Sequence, residues 1–313
     1  MKKTLIAMAA VAVVSTSFAQ VSITGKLGFA IQADPMLVPN KVRGMAISDG
    51  DIVFAASEDL GGGMKASVSS AMKLRGRDNI GARNGTITLS SNDLVVTVGA
   101  VEVGSALTNA WVSAPASFAS GPDNDTVLDG YSNVDVMSVT LPLGALSITG
   151  AYVDGSATAG AAGSGNGAGQ ATQLVVAYKK DALSLMADVT NTSSSVAAAD
   201  GGVRTRVTGT YDFGAVALGL GFQTKNKNIA SQTSFGISAP LGAVTVGLTH
   251  NMRGAQAISA DAGIAAAVAE RTGTTFGASY AMSKTTSLYA GIATYTGIAT
   301  QDSEYRIRLL KSF

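Results

Sequence analysis

The stretch "SEYRIRLLKSF", residues 303–313, decides the fold. Apolar and polar side chains alternate along it, which is the pattern of a β-strand whose two faces meet different surroundings. One face carries Tyr305, Ile307, Leu309 and Phe313, and the other carries Glu304, Arg306, Arg308 and Ser312. A long amphipathic strand with a terminal aromatic residue is rare in soluble domains. It is expected where one face meets lipid and the other meets water.

The first residues of the sequence predict export. Lys2 and Lys3 precede an apolar run from Leu5 to Val14, and the sequence Ser17–Ala19 follows as a small-residue cleavage site. This arrangement is typical of a secretory signal peptide, since the apolar run is too short for a membrane-spanning helix. We therefore expect a signal peptide at residues 1–19 and one barrel domain at residues 20–313.

The composition limits the classes of function. Charged residues make up only 14% of the chain, hydrophobic residues make up 46%, and the formal net charge is +1. Such a balance gives no reason to expect a nucleic-acid partner. The chain has 37 glycines and no cysteine, and its apolar residues alternate with polar ones instead of forming long helical stripes. The sequence therefore predicts an all-β protein, and nothing in it indicates a cofactor.

Turn signals divide the chain into hairpins. Seven short stretches rich in turn residues predict tight connections: Glu58–Met64, Ser90–Leu94, Pro142–Leu146, Lys179–Leu183, Asp212–Val216, Pro240–Val244 and Met282–Ser287. Longer connections alternate with them. If both ends of the barrel domain lie on the tight-turn side, seven tight turns and eight long loops join 16 antiparallel strands.

A closed barrel is the physical reason for this pattern. In lipid, every backbone hydrogen-bonding group must be paired within the protein, and only a closed sheet achieves this without an open edge. The last strand must therefore pair with the first, and Phe313 is expected to face lipid.

Several motifs resemble the trimeric general porins of Gram-negative bacteria, the Neisseria and Comamonas branch especially. They are "SEDLGGGMKA" (residues 57–66), "RNGTITLS" (83–90), "ASYAMSKTTSLYAG" (278–291) and the terminal "YRIRLLKSF". The resemblance implies a homotrimer of 16-stranded barrels in the outer membrane, forming water-filled channels for ions and small hydrophilic solutes. It also implies that the barrel-insertion machinery reads the terminal strand through Tyr305, Ile307, Leu309 and Phe313.

The resemblance implies, too, that the third long loop folds into the barrel. Here that loop spans Val103–Ser132 and is the longest connection. It contains the only tryptophan, Trp111, and the acidic residues Asp123, Asp125 and Asp129. We expect these four residues to line a constriction.

Charges on the wall and on the loop predict weak ion selectivity. Strand parity or family position makes six residues candidates for lining the pore: Lys26, Asp51, Lys65, Arg83, Arg306 and Arg308. The stretch 84–178 contains no Lys or Arg, so a basic wall is expected to face an acidic loop. Asp51 stands where the family often carries a wall arginine, and Ala100 replaces another. These departures weaken the family's preference for anions, and we expect a slight preference for cations.

Two other classes of outer-membrane barrel remain as alternatives. A barrel hydrolase needs a nucleophile and a base, but His250 is the only histidine, no G-x-S-x-G motif is present, and we expect His250 at the lumen or the rim. A structural or adhesin barrel requires large ordered external loops, and most loops here are short.

Overall fold

The computed structural model describes residues 20–33, 44–74, 81–103, 107, 132–154, 170–193, 202–224, 230–255, 269–298 and 302–313. Its strands form a single closed antiparallel sheet in which each strand pairs with its sequence neighbours and β1 pairs with β16. The predicted all-β, 16-stranded barrel is therefore confirmed. Within these ranges, no helix has both the length and the apolar character needed to cross a membrane.

The sixteen strands follow one another around the barrel. They are β1 Gln20–Ala33, β2 Gly44–Gly61, β3 Met64–Lys73, β4 Gly81–Ser90, β5 Val95–Val103, β6 Ser132–Leu143, β7 Leu146–Asp154, β8 Gln170–Lys180, β9 Leu183–Ser193, β10 Gly202–Asp212, β11 Ala217–Gln223, β12 Gln232–Leu241, β13 Val244–Arg253, β14 Arg271–Ser283, β15 Thr286–Thr296 and β16 Ser303–Ser312.

All seven predicted tight turns join adjacent strands. Two of them share the sequence Pro-Leu-Gly-Ala, between β6 and β7 and between β12 and β13. In these turns Gly144 has φ +70° and Gly242 has φ +68°, a left-handed conformation that glycine adopts without steric cost. The strand ends that the eight longer connections join lie at the other end of the barrel.

Alternation places two kinds of surface back to back. On β16, Ile307 and Leu309 are exposed on the outward face, whereas Arg306 and Arg308 are buried on the lumen face. On β1, Leu27 lies outward beside lumen-facing residues of the opposite parity. Because apolar side chains cover the outward face and polar ones the lumen face, the barrel has the surface expected in a lipid bilayer.

Closure of the barrel involves the terminal residue. The Phe313 N–H donates to Gly25 O at 3.0 Å, and the Gly25 N–H donates to Phe313 O at 3.1 Å. A Cβ atom at position 25 would lie 2.6 Å from Phe313 Cζ, so the glycine leaves the space that the ring occupies. Phe313 remains 62% exposed on the outward side, as the alternation predicts.

Candidate functional site: the lumen wall

An ion-pair network lies on the lumen face where the barrel closes. Asp49, at the centre, accepts a hydrogen bond from Arg308 Nη1 at 2.9 Å and another from Ser48 Oγ at 3.0 Å. Lys26 Nζ lies 3.5 Å from Asp49 Oδ1 and 3.4 Å from Asp51 Oδ2. We call Lys26, Asp49, Asp51 and Arg308 the closure network, since they connect β16, β1 and β2.

Small residues on β1 allow the network to form. Arg308 is in register with Ala30, and Asp49 is in register with Gly28, so Arg308 and Asp49 must meet across β1. A Cβ atom at position 28 would lie 2.8 Å from Asp49 Oδ2. The missing side chain of Gly28 therefore gives the Asp49 carboxylate its room.

Arg308 has a further contact outside the closure network. Its guanidinium carbon lies 4.4 Å from the ring centroid of Tyr289 on β15, within the range of a cation–π interaction. The arginine is thus held between a carboxylate on β2 and an aromatic ring on β15, and its orientation in the lumen is fixed from both sides.

The predicted pore-lining residues fall into three groups. Lys26, Asp51, Arg306 and Arg308 lie on the lumen face around the closure, and Lys26 retains 40% of its side-chain exposure. Lys65 has lumen parity but lies at the tight-turn end of β3, opposite Asp59 and away from the closure network. Arg83 belongs to β4, and its side chain lies outside the described residues.

The constriction loop falls almost wholly outside the described residues. Trp111, Asp123, Asp125 and Asp129 all lie there. Between the end of β5 and the start of β6, Leu107 is described; it is fully buried and packs against Ala293 and Tyr295 of β15. Along the shorter way around the closed sheet, β15 is six strands from β5. The chain that leaves β5 therefore reaches a distant part of the lumen wall.

A second buried ion pair joins β9 and β10 on the lumen face. Arg206 Nε donates to Asp188 Oδ2 at 2.7 Å, and both side chains are almost fully buried. The second carboxylate oxygen accepts from Thr190 Oγ1 at 3.1 Å and from Gln173 Nε2 at 3.3 Å. Asp188 is thus satisfied at both oxygens, as a buried carboxylate requires.

The Asp188–Arg206 pair begins a longer polar row. Cross-strand partners from β9 to β14 place six hydrogen-bonding side chains in register on the lumen face: Asp188, Arg206, Gln223, Gln232, Arg253 and Arg271. We call this set the charged row. Gln223 and Gln232 are 1% and 0% exposed. Water therefore does not reach these two glutamine side chains.

The opposite part of the wall has a different chemistry. In β4 to β7, every lumen-facing side chain that the structure describes is uncharged, and these strands form what we call the neutral wall. Hydroxyl groups from adjacent strands meet in pairs, Thr88 with Thr97 at 3.0 Å and Thr140 with Thr149 at 2.7 Å. Inward valines lie beside them: Val95 is in register with Thr140, and Val136 is in register with Val153.

Two sequence-based placements are wrong. Ala100, expected to replace a wall arginine, is exposed on the outward face, because Thr97 and Gly99 take the inward positions of β5. His250, expected at the lumen or rim, also lies on the outward face, since Thr249 and Asn251 are the buried inward residues of β13. Its Nδ1 is hydrogen-bonded to Thr274 Oγ1 at 2.8 Å.

Sequence reasoning also missed several wall residues. Asp49, Asp188 and Arg206 were not among the candidates, and Glu304 was placed on the lumen face but not counted with the site. Strand parity indicates that each of them faces inward. The predicted basic wall is therefore a mixed wall, in which Asp49, Asp51 and Glu304 lie among the bases.

Solved structures similar to this chain are porins. A triple mutant of the Rhodopseudomonas blastica porin matches with a TM-score of 0.70 at 16% identity, over 94% of this chain and 100% of that one. A second mutant of the same porin matches with a TM-score of 0.69 at 18% identity, over the same shares of both chains. At this identity the likeness concerns the fold. No curated protein sequence matches the chain.

The family is shown by sequence. A profile described as "Gram-negative porin" matches residues 4–299, which is nearly the whole chain. The closed barrel, with its apolar outward face and polar lumen, is the architecture that such channels need. Porins are channels and not enzymes, and this chain belongs to the Gram-negative porin family.

Proposed function

We propose that this porin forms a water-filled channel in the outer membrane for passive diffusion of small hydrophilic solutes and ions. The observation that carries the proposal is the closed 16-stranded sheet with a polar lumen face. Barrels of this strand number enclose an aqueous channel. No chemical step is involved, and solutes move down their own gradients.

Recording from planar bilayers is the direct test. Purified, refolded protein should give stepwise increases in conductance as channels insert. A structural or adhesin barrel would give none, and the absence of steps from correctly folded protein would overturn the proposal.

The proposed route to the membrane uses a signal peptide and a terminal assembly signal. Residues 1–19 direct export and are cleaved, and the insertion machinery reads Tyr305, Ile307, Leu309 and Phe313. Support for the second step comes from the outward position of these four residues, which a partner can contact before the barrel closes. Mass spectrometry of the mature protein, with Gln20 as the expected first residue, tests the first step.

We also propose a homotrimer in lipid. Large apolar side chains are exposed on the outward face of strands all around the barrel, including Val21, Ile87, Leu174 and Phe276. Lipid and neighbouring copies are the surroundings that suit such a surface. The mass of the detergent-solubilised complex, measured by light scattering, should be three times that of one chain.

The third long loop is proposed as the constriction. The contact of Leu107 with β15 supports an inward course, and Trp111, Asp123, Asp125 and Asp129 would then lie within the lumen. Deleting residues 106–122 should raise the single-channel conductance, because the narrowest section sets the resistance. Conductance equal to that of the wild type would place the loop outside.

A weak preference for cations completes the proposal. Asp49, Asp51 and Glu304 offset the bases around the closure, and the loop contributes further acids. At physiological salt the screening length is about 8 Å, so nearby charges dominate. Asp51→Arg should move the reversal potential in a KCl gradient toward that of chloride. A wild-type channel with strong anion selectivity would contradict the preference, and an unshifted variant would remove Asp51 from the constriction.

A further inference from the structure

We infer that the open water path follows the neutral wall of β4–β7, and that this path suits neutral solutes that carry both hydroxyl groups and aliphatic carbon, such as monosaccharides and polyols. The inference rests on the proposed channel function and names the solute class of that channel.

The two parts of the lumen wall differ in their exposure to water. Every lumen-facing residue of the neutral wall whose side chain the structure describes is partly exposed. On β11–β14, by contrast, inward residues such as Gln232, Ser234 and Asn251 are at most 1% exposed. Water therefore reaches the lumen face of β4–β7, and it does not reach the middle of the lumen face of β11–β14.

The hydroxyl pairs of the neutral wall have hydrogen-bonding capacity to spare. A hydroxyl group has one donor and two acceptor positions. In the pairs Thr88–Thr97 and Thr140–Thr149, one hydroxyl donates to the other, so each pair keeps a donor and several acceptors for a passing solute. Ser138 is in register with Thr97 and extends the hydroxyl groups to β6.

The neutral wall also has apolar side chains that face the lumen. Val95, Val136 and Val153 lie inward on the same strands and are partly exposed. Hydroxyl groups and valine methyls thus share one wetted surface. A sugar or polyol presents the same two kinds of group and can exchange water for both of them, whereas a small ion gains nothing from the methyls and loses hydration.

The charges of the closure network and the charged row lie away from the neutral wall. Asp188 and Arg206 neutralise each other in the charged row, and Asp49 neutralises Arg308 in the closure network. Lys26 on that side is 40% exposed and Arg253 and Arg271 are half-buried, and the fields of these charges are screened over about 8 Å of salt solution. A solute beside the neutral wall therefore meets little field from the closure network and the charged row.

Cysteine accessibility tests the path, because the chain contains no native cysteine. Thr97→Cys places a thiol on the neutral wall, and Thr249→Cys places one at an inward position that is 2% exposed. An anionic methanethiosulfonate reagent should modify the first variant severalfold faster and lower its conductance. Equal rates, or a faster reaction at position 249, would overturn the path. Thr140→Cys, also on the neutral wall, replaces the first variant if that one does not fold.

Proteoliposome swelling tests the solute class. A neutral monosaccharide should enter wild-type vesicles at least as fast as the sugar acid of the same carbon number. Thr97→Asp should slow the acid severalfold more than the sugar. Gln223→Glu adds the same charge to the charged row, next to Arg206 in register, and should leave both rates nearly unchanged. Faster entry of the acid in the wild type, or equal effects of the two variants, would overturn the inference. If the folded wild type showed no conductance, the channel function itself would instead be overturned.

Discussion

The neutral wall and the charged side of the lumen belong to the same antiparallel sheet, and yet their side chains interact differently. The charged side comprises the closure network and the charged row. On the charged side, buried ion pairs hold strands together, and one of them connects strands that are distant in sequence: the Arg308–Asp49 hydrogen bond spans 259 residues. On the neutral wall, the hydroxyl pairs connect neighbouring strands only nine residues apart in the chain. The charged side is built for cohesion, and the neutral wall is built to be wetted.

The difference follows from what burial demands. A charge that is removed from water must be paired and hydrogen-bonded, so Asp188 and Asp49 are each surrounded by donors. A partly exposed hydroxyl has no such requirement, because water satisfies it. The effects of substitutions on the two sides should therefore differ in kind as well as in size.

The largest effect is expected at the closure of the barrel. Deleting Phe313 removes two backbone hydrogen bonds to Gly25 and the ring that covers it. Most of the folded protein in the outer membrane should be lost, as measured by heat-shifted gel mobility. Leu143→Ala, at an outward and similarly exposed position at the end of β6, is the matched control and should retain a wild-type yield. Equal yields for both variants would show that closure does not depend on Phe313.

The next largest effect is expected in the charged row. Arg206→Met leaves Asp188 buried without its cation, and breaking a buried pair in this way costs about 3–5 kcal/mol. The free energy of unfolding in a urea titration measures the loss. The double variant Asp188→Asn with Arg206→Met removes both charges and should recover much of it. A loss below about 1 kcal/mol for the single variant would mean that the pair is solvated.

Ion selectivity should distinguish the two sides by location. Thr97→Lys and Asp49→Asn each raise the charge of the wall by one unit, the first on the neutral wall and the second within the closure network. Both should move the reversal potential toward that of chloride, and Thr97→Lys should move it further, because its charge is added beside the water path. A larger shift for Asp49→Asn would place the path along the closure network.

Much of the fold was predictable from the sequence. Alternation identified the strands, and the seven turn signals fixed their number. The alternation in the terminal strand predicted which residues face lipid and which face the lumen, because parity alone places Ile307 on one face and Arg308 on the other. The barrel then followed from the need to pair every backbone group.

The site was less predictable, because parity gives a face but not a level or a neighbour. The contact between Asp49 and Arg308 depends on closure of the barrel, on the register of three strands and on the space left by Gly28. An error of one residue moves a side chain to the other face, as happened with Ala100. The stretch without bases, residues 84–178, was interpreted through its acids, although its strands form the neutral wall.

The smallest effect is expected within the neutral wall itself. Thr140→Val keeps the shape of the side chain and removes one hydroxyl of the pair with Thr149, whose oxygen lies 2.7 Å away. A typical hydrogen bond contributes about 0.5–1.5 kcal/mol net. The loss should lie at the low end of that range, because Thr149 is partly exposed and water can replace the missing partner. The double variant Thr140→Val with Thr149→Val should be no less stable than the single one, since it leaves no hydroxyl without its partner. Urea unfolding measures both. A loss as large as that of Arg206→Met would mean that the neutral wall holds the barrel together just as the charged side does, and the contrast between the two sides would fail.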